Sequence, residues 1–114
     1  MVIYNELPIY KSCYTLLLTT TRLYKKLPQI YRYNVGQHLH TALVELVVTI
    51  FKANSYREKR REYLSYAREH IELVRLLIRL CKDLGGITYL NYVDLQPLIE
   101  EISKQLVGRE RSTQ

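Results

Sequence analysis

The chain has no tryptophan, one phenylalanine, four glycines and three prolines among its 114 residues. So few turn formers exclude a many-stranded sandwich or barrel, in which glycine or proline recurs at each short connection. Cysteine is scarce too. Cys13 and Cys81 both fall on the apolar side of helical patterns and read as reduced core thiols of a cytosolic protein. The longest apolar-looking stretch, Ala42 to Phe51, is interrupted by Glu45 and Thr49 and falls short of a membrane span. The opening Met1-Val2-Ile3-Tyr4-Asn5-Glu6 has neither the basic segment nor the apolar segment of a secretory leader, so none is expected.

The three histidines do not form a site. His38 and His40 are two apart, which turns them about 200° from each other on a helix and prevents a shared metal. His70 is alone, and no Glu-x-x-His pair supports a di-iron bundle. Gly85-Gly86 is not followed by the Lys-Ser or Lys-Thr of a phosphate loop. Ser, Cys and His show no spacing that suggests a nucleophile with its base. The expectation is a non-enzyme that needs no metal or other cofactor.

What the chain does have is 47% hydrophobic residues, 25% charged residues and eleven tyrosines. That composition belongs to one globular domain, and the length suffices for a single core. Seventeen Lys and Arg against eleven Asp and Glu leave a formal charge of +6, which suits a polyanionic partner.

Periodicity predicts four helical segments. The first spans about Pro8 to Lys26, with Tyr10, Cys13, Tyr14, Leu17 and Tyr24 as its apolar face and Pro28 closing its exit. The second spans about Gly36 to Ala53, with one stripe of Leu39, Ala42, Leu43, Leu46, Val47 and Ile50. A second stripe, Val44, Val48 and Phe51, makes this helix greasy on two sides, so a subunit contact is expected there. The third, about Tyr56 to Leu84, carries a core stripe of Tyr63, Ala67, Val74, Ile78 and Cys81 and a surplus strip of Leu73, Leu76 and Leu80. Gly85-Gly86 ends it. The fourth, about Asn91 to Val107, places Leu95, Ile99, Ile102 and Leu106 on one face. Pro97 fits its first turn if Asp94 is the cap, and kinks it if the helix starts at Asn91. Residues 1–108 are therefore read as one all-α, antiparallel up-down four-helix bundle, and 109–114 as a frayed basic-polar tail.

The third helix carries a row of cations. Stepped at about 100° per residue, Arg57, Arg61, Arg68, Arg75, Arg79 and Lys82 fall within an arc of about 60°. Glu58, Glu62, Glu69 and Glu72 occupy the adjoining arc, which leaves the row unneutralised along its axis. A solvated face is the plain reading of such a row. A phosphate track is the functional one, since guanidinium groups match phosphate oxygens in bidentate fashion. Lys59 and Arg60 near the start of this helix, and Arg22, Lys25, Lys26 and Arg32 at the end of the first, add positive charge. Tyr31, Tyr33 and Tyr56 are placed to stack on unpaired bases.

Two stretches carry a family resemblance. Leu27-Pro28-Gln29-Ile30-Tyr31-Arg32-Tyr33-Asn34-Val35-Gly36-Gln37-His38-Leu39 resembles the junction of helices one and two in a small four-helix bundle superfamily. Arg75-Leu76-Leu77-Ile78-Arg79-Leu80-Cys81-Lys82-Asp83-Leu84-Gly85 is similar to its second signature, near the end of helix three. With Ala53, Arg57 and Arg61, these resemble the accessory variability determinant proteins of diversity-generating retroelements, over about Leu7 to Gly108. Proteins encoded in intervening sequences of large-subunit ribosomal RNA share the superfamily but usually show Ala-Glu-Gly near the end of helix two. This chain has Phe51-Lys52-Ala53-Asn54-Ser55 there, closer to the retroelement branch.

The resemblance implies a basic accessory protein, not a catalyst. It implies a homopentameric barrel that binds the retroelement's reverse transcriptase, its template-repeat RNA and DNA, and supports cDNA synthesis during mutagenic retrohoming. A cytoplasmic location, in a bacterial or phage-infected cell, goes with it, and no membrane partner does. The other reading, from a different class, is a structural or protein-interaction bundle of the ribosomal intervening-sequence type.

Overall fold

A computed structural model describes residues 7–113. The leader reading of residues 1–6 lies outside the described residues. The described part is all-helical: α1 (Pro8–Tyr24), α2 (Gln29–Arg32), α3 (Val35–Ser55), a 3-10 turn (Arg57–Lys59), α4 (Arg60–Asp83) and α5 (Tyr89–Ser112). The four long helices run up and down in a body of 43 × 23 × 21 Å. Helix α1 packs on α3 and α5, and α4 packs on the same two, so α1 and α4 lie diagonally across the core.

Each helix buries a stripe at three-and-four spacing. In α3 the stripe is Leu39, Ala42, Leu43, Leu46, Ile50 and Ala53. In α4 it is Leu64, Ala67, Ile71, Val74, Ile78 and Cys81, and in α5 Leu95, Ile99, Ile102 and Leu106. The α1 stripe is rotated from expectation: Ile9, Tyr10, Cys13, Leu16 and Thr20 are buried, while Tyr14 is exposed. A tyrosine body adds apolar weight to the wrong face when its hydroxyl keeps it in water.

The connections explain where the helices stop. Helix α4 ends in a Schellman turn, with the Gly86 amide donating to the Cys81 carbonyl (2.8 Å) and the Gly85 amide to the Lys82 carbonyl (2.9 Å). Gly85 has φ +77°, a conformation that glycine takes without strain. Helix α5 starts earlier than expected, because Thr88 caps it: its hydroxyl accepts from the Asn91 amide at 3.1 Å. The first placement foreseen for Pro97, in the opening turn after an Asp94 cap, therefore does not hold, and the interior one does. Pro97 lies inside α5, on the exposed face. The Val93 carbonyl that loses its intrahelical donor there is also on an exposed residue, where water replaces the donor. Helix α5 also continues past Gly108 to Ser112, so the segment expected to fray is helical.

The link between α1 and α3 holds the unforeseen α2. The Tyr24 hydroxyl donates to the Arg32 carbonyl (2.9 Å), and Arg32 Nη2 donates back to the carbonyls of Lys25 (3.0 Å) and Leu27 (3.1 Å). This reciprocal tie folds α2 against the end of α1. Leu27, 4% exposed, plugs the same corner. A Cβ on Gly36 would come within 2.8 Å of its Cδ1, and one on Gly86 within 2.9 Å of its Cδ2. Two glycines from different connections thus make room for one leucine.

Candidate nucleic-acid interface

Apart from Arg68 and Arg75, which lie along the middle of α4, the expected cations divide between the two ends of the bundle. Arg22, Lys25, Lys26, Arg32 and Arg79 lie where α1 and α4 end and α5 begins. Arg57, Lys59, Arg60 and Arg61 lie at the opposite end. Along α4 alone, the 18 residues from Arg61 to Arg79 span about 27 Å. The chain therefore offers two separate basic ends, not one patch.

The arginine row is not continuous and not unneutralised. Arg57 sits in the 3-10 turn, off the α4 wheel. Arg68 Nη1 meets Glu110 at 3.0 Å, across to α5. Arg75 pairs with Glu72 at 3.0 Å on its own helix and with Glu100 on α5. These partners hold the Arg75 guanidinium above even its ordinary high pKa, with the Glu100 hydrogen bond the largest cause. Asp83 lies 3.7 Å from Arg79 and 3.2 Å from Lys82, and Lys82 also rests 4.5 Å above the Tyr92 ring. Stepping along one helix reveals only that helix's carboxylates, and Glu100 and Glu110 arrive from α5.

Two more expected contacts hold helix ends. Arg32 clamps the exit of α1, as above. Arg60, half-buried, donates from Nε to the Ala53 carbonyl (2.8 Å) and from Nη2 to the Asn54 carbonyl (3.3 Å), closing the last turn of α3. Beside it lies a cavity of about 140 Å³, lined by Ile9, Tyr10, Arg60, Leu64, Arg109 and Thr113 among others.

The remaining expected cations are in water. Arg22, Lys25, Lys26, Arg57, Lys59 and Arg61 are exposed and form no ion pair with a carboxylate among the described residues. The first three stand in a segment with an unusual charge pattern. From Leu7 to Val44 there is no Asp or Glu, while Lys11, Arg22, Lys25, Lys26 and Arg32 are all present. Of the tyrosines singled out for stacking, Tyr31 is half-buried, and its ring would meet a Cβ on Gly86 at 3.7 Å. Tyr56 is exposed, with its ring 6.1 Å from that of Tyr63. Tyr33 is 66% exposed, and the next apolar residue on α2, Ile30, is 72% exposed.

The expected interface residues are all exposed in the single chain. Val44, Val48 and Phe51 lie on the side of α3 opposite its buried stripe, and Leu73, Leu76 and Leu80 on the outer side of α4. Helices α3 and α4 pack as neighbours, and each carries one apolar strip on its outer side. Among the described residues, no three His, Cys, Asp or Glu side chains gather as metal ligands. No helix among the described residues is long and apolar enough to cross a membrane. No family model matches the chain, and no curated protein matches it.

Proposed function

We propose that this protein is a non-enzymatic accessory subunit of a diversity-generating retroelement. In this role it self-associates and binds nucleic acid together with a reverse transcriptase. The observation that carries the reading is the set of exposed cations, at both ends of the bundle, with no carboxylate partner among the described residues, in a chain of net charge +6. Such cations release counterions when they meet phosphates. The exposed apolar strips on the outer sides of α3 and α4 support self-association, because apolar side chains lined up in water invite a partner. The motifs around Pro28, Gly36 and Gly85 supply the retroelement branch. A reverse-transcriptase gene and a pair of near-identical repeats beside this gene would strengthen that assignment, and their absence would remove it.

The phosphate contacts fall to Arg22, Lys25, Lys26, Arg57, Lys59 and Arg61. Binding to template-repeat RNA should then weaken by orders of magnitude between about 50 and 200 mM salt. Salt-insensitive binding would overturn this reading. The paired arginines divide the two functional classes. Arg75→Ala with Arg79→Ala should abolish reconstituted cDNA synthesis if this row holds the reverse transcriptase or RNA. Full activity, with normal helix by circular dichroism, would favour a structural role for the row. The ion pairs to Glu72, Glu100 and Asp83 are the specific observation on the structural side.

A further inference from the structure

Beyond a general affinity for polyanions, the corner made by the end of α1 and by α2 with its C-cap Tyr33 has the chemistry of a base-stacking site. Tyr33 is 66% exposed and has neither a ring partner nor a side-chain hydrogen bond among the described residues. Its backbone is nonetheless fixed. The Arg32 carbonyl that precedes it accepts from the Tyr24 hydroxyl at 2.9 Å, while the Arg32 guanidinium holds the Lys25 and Leu27 carbonyls. The backbone that carries the ring is thus tied to the turn that carries Lys25 and Lys26, with Arg22 one turn back on α1. A held backbone limits the conformational entropy lost on binding, and the two faces of the ring accept any base.

The charge around it selects the occupant. Residues 7–44 carry no carboxylate, so α1, α2 and the first half of α3 offer only cations and neutral groups. The carboxylates at this end of the bundle come from other helices: Asp83, engaged by Arg79 and Lys82, and the exposed Asp94 near the start of α5. Ordinary protein-docking surfaces mix both signs at their rim, whereas a phosphate backbone is neutralised by one sign alone. A duplex hides the faces of its bases, and a strand with unpaired bases presents them.

We propose that this corner binds single-stranded nucleic acid, with Tyr33 stacking on an unpaired base and Arg22, Lys25 and Lys26 meeting the flanking phosphates. The proposal rests on the nucleic-acid reading above and names the strand that the α1–α2 end takes.

Fluorescence anisotropy of the full chain, with a short labelled oligouridylate and a paired RNA duplex of equal length, tests it. Tyr33→Ala should weaken single-strand binding about tenfold and leave duplex binding unchanged, while Tyr33→Phe, which keeps the ring, should bind normally. Lys25→Ala with Lys26→Ala should weaken both probes and lower the salt slope by about two. Circular dichroism of each variant checks that the helices remain. Unchanged single-strand affinity in Tyr33→Ala, or an equal loss on both probes, would overturn the proposal. If binding survives Tyr33→Ala but is lost in Arg57→Ala with Arg61→Ala, this inference fails and the nucleic-acid reading stands. A wild-type chain that binds neither probe overturns both. Loss of reverse-transcriptase capture in Tyr33→Ala, with strand binding intact, would make the corner a protein-docking surface and overturn the proposal as well.

Discussion

The fit of Leu27 between Gly36 and Gly86 makes a quantitative prediction. A methyl placed on Gly36 lies 2.8 Å from Leu27 Cδ1, 3.0 Å from the Tyr31 carbonyl oxygen and 3.2 Å from the Tyr24 ring. Leu27 is 4% exposed, so its end cannot swing into water, and the carbonyl cannot yield unless α2 moves. Overpacking of this kind costs about 1–3 kcal/mol. Replacing glycine near a helix start returns up to about 1 kcal/mol of helix propensity. Gly36→Ala should therefore destabilise by about 1–2 kcal/mol. Leu27→Ala should cost more, about 2–4 kcal/mol, by opening a cavity at a buried site. In the double variant the new methyl no longer meets the leucine, although Tyr31 and Tyr24 still crowd it. The two losses should fall short of their sum by roughly 1 kcal/mol. Urea unfolding at one fixed protein concentration gives each value, the concentration being held because self-association adds to apparent stability. Strict additivity, or a stabilising Gly36→Ala, would refute the packing argument.

Other outcomes follow from single features. Gly85→Ala should cost about 1 kcal/mol in urea unfolding, because its φ of +77° strains any side chain even though no atom lies within 4 Å of the new Cβ. Burial pushes the Cys13 thiol up to about 12 from an ordinary 9.0. Between those values the unfolded chain gives up a proton that the folded chain keeps, so stability is unaffected below pH 9.0 and should fall as pH rises toward 12; Cys13→Ala should flatten that decline. Val48→Asp should leave helix content and monomer stability within about 0.5 kcal/mol of wild type, since the side chain points away from the core. In light scattering the same change should dissociate the proposed assembly, and a wild type that is already monomeric would refute the two-strip argument.

The stripes of α3 and α5 were legible because Leu, Ile, Val and Ala at three-and-four spacing have one favourable environment. In α4 the expected stripe held at Ala67, Val74, Ile78 and Cys81 but included the half-buried Tyr63 and lacked the buried Leu64 and Ile71. The other errors fall where a residue has two favourable environments. Tyr14 and Leu16 compete for the buried side of α1, and hydropathy alone does not say that the tyrosine hydroxyl keeps its ring in water. Thr88 is a cap only once the turn after Gly86 is in place, so sequence reasoning moved the start of α5 inward, toward Asp94. Pro97 encouraged the same shift. A proline is a poor guide to a helix start when its face is solvated and the orphaned carbonyl meets water. Helix α2 lacks any amphipathic repeat, being one turn long, and depends on the Tyr24–Arg32 tie across eight residues. No local pattern encodes that.

For the candidate interface the limit is different. The arc of arginines is a property of one helix, whereas the charge it presents is a property of two. Glu100 and Glu110 lie 25 and 42 positions beyond Arg75 and Arg68, and only antiparallel packing of α5 on α4 brings them alongside. An exposed pair of this kind contributes at most about 1 kcal/mol to stability. Its larger effect is on the local field, since a cation already facing a carboxylate attracts a phosphate less strongly. The same reasoning gives the end of α1 its weight. Its cations come from a stretch of sequence without acids, and no carboxylate from a neighbouring helix pairs with Arg22, Lys25 or Lys26 among the described residues. The acid-free run from Leu7 to Val44 could have been read without any structure. It was the quieter signal, because a regular row of arginines draws the eye before an absence does.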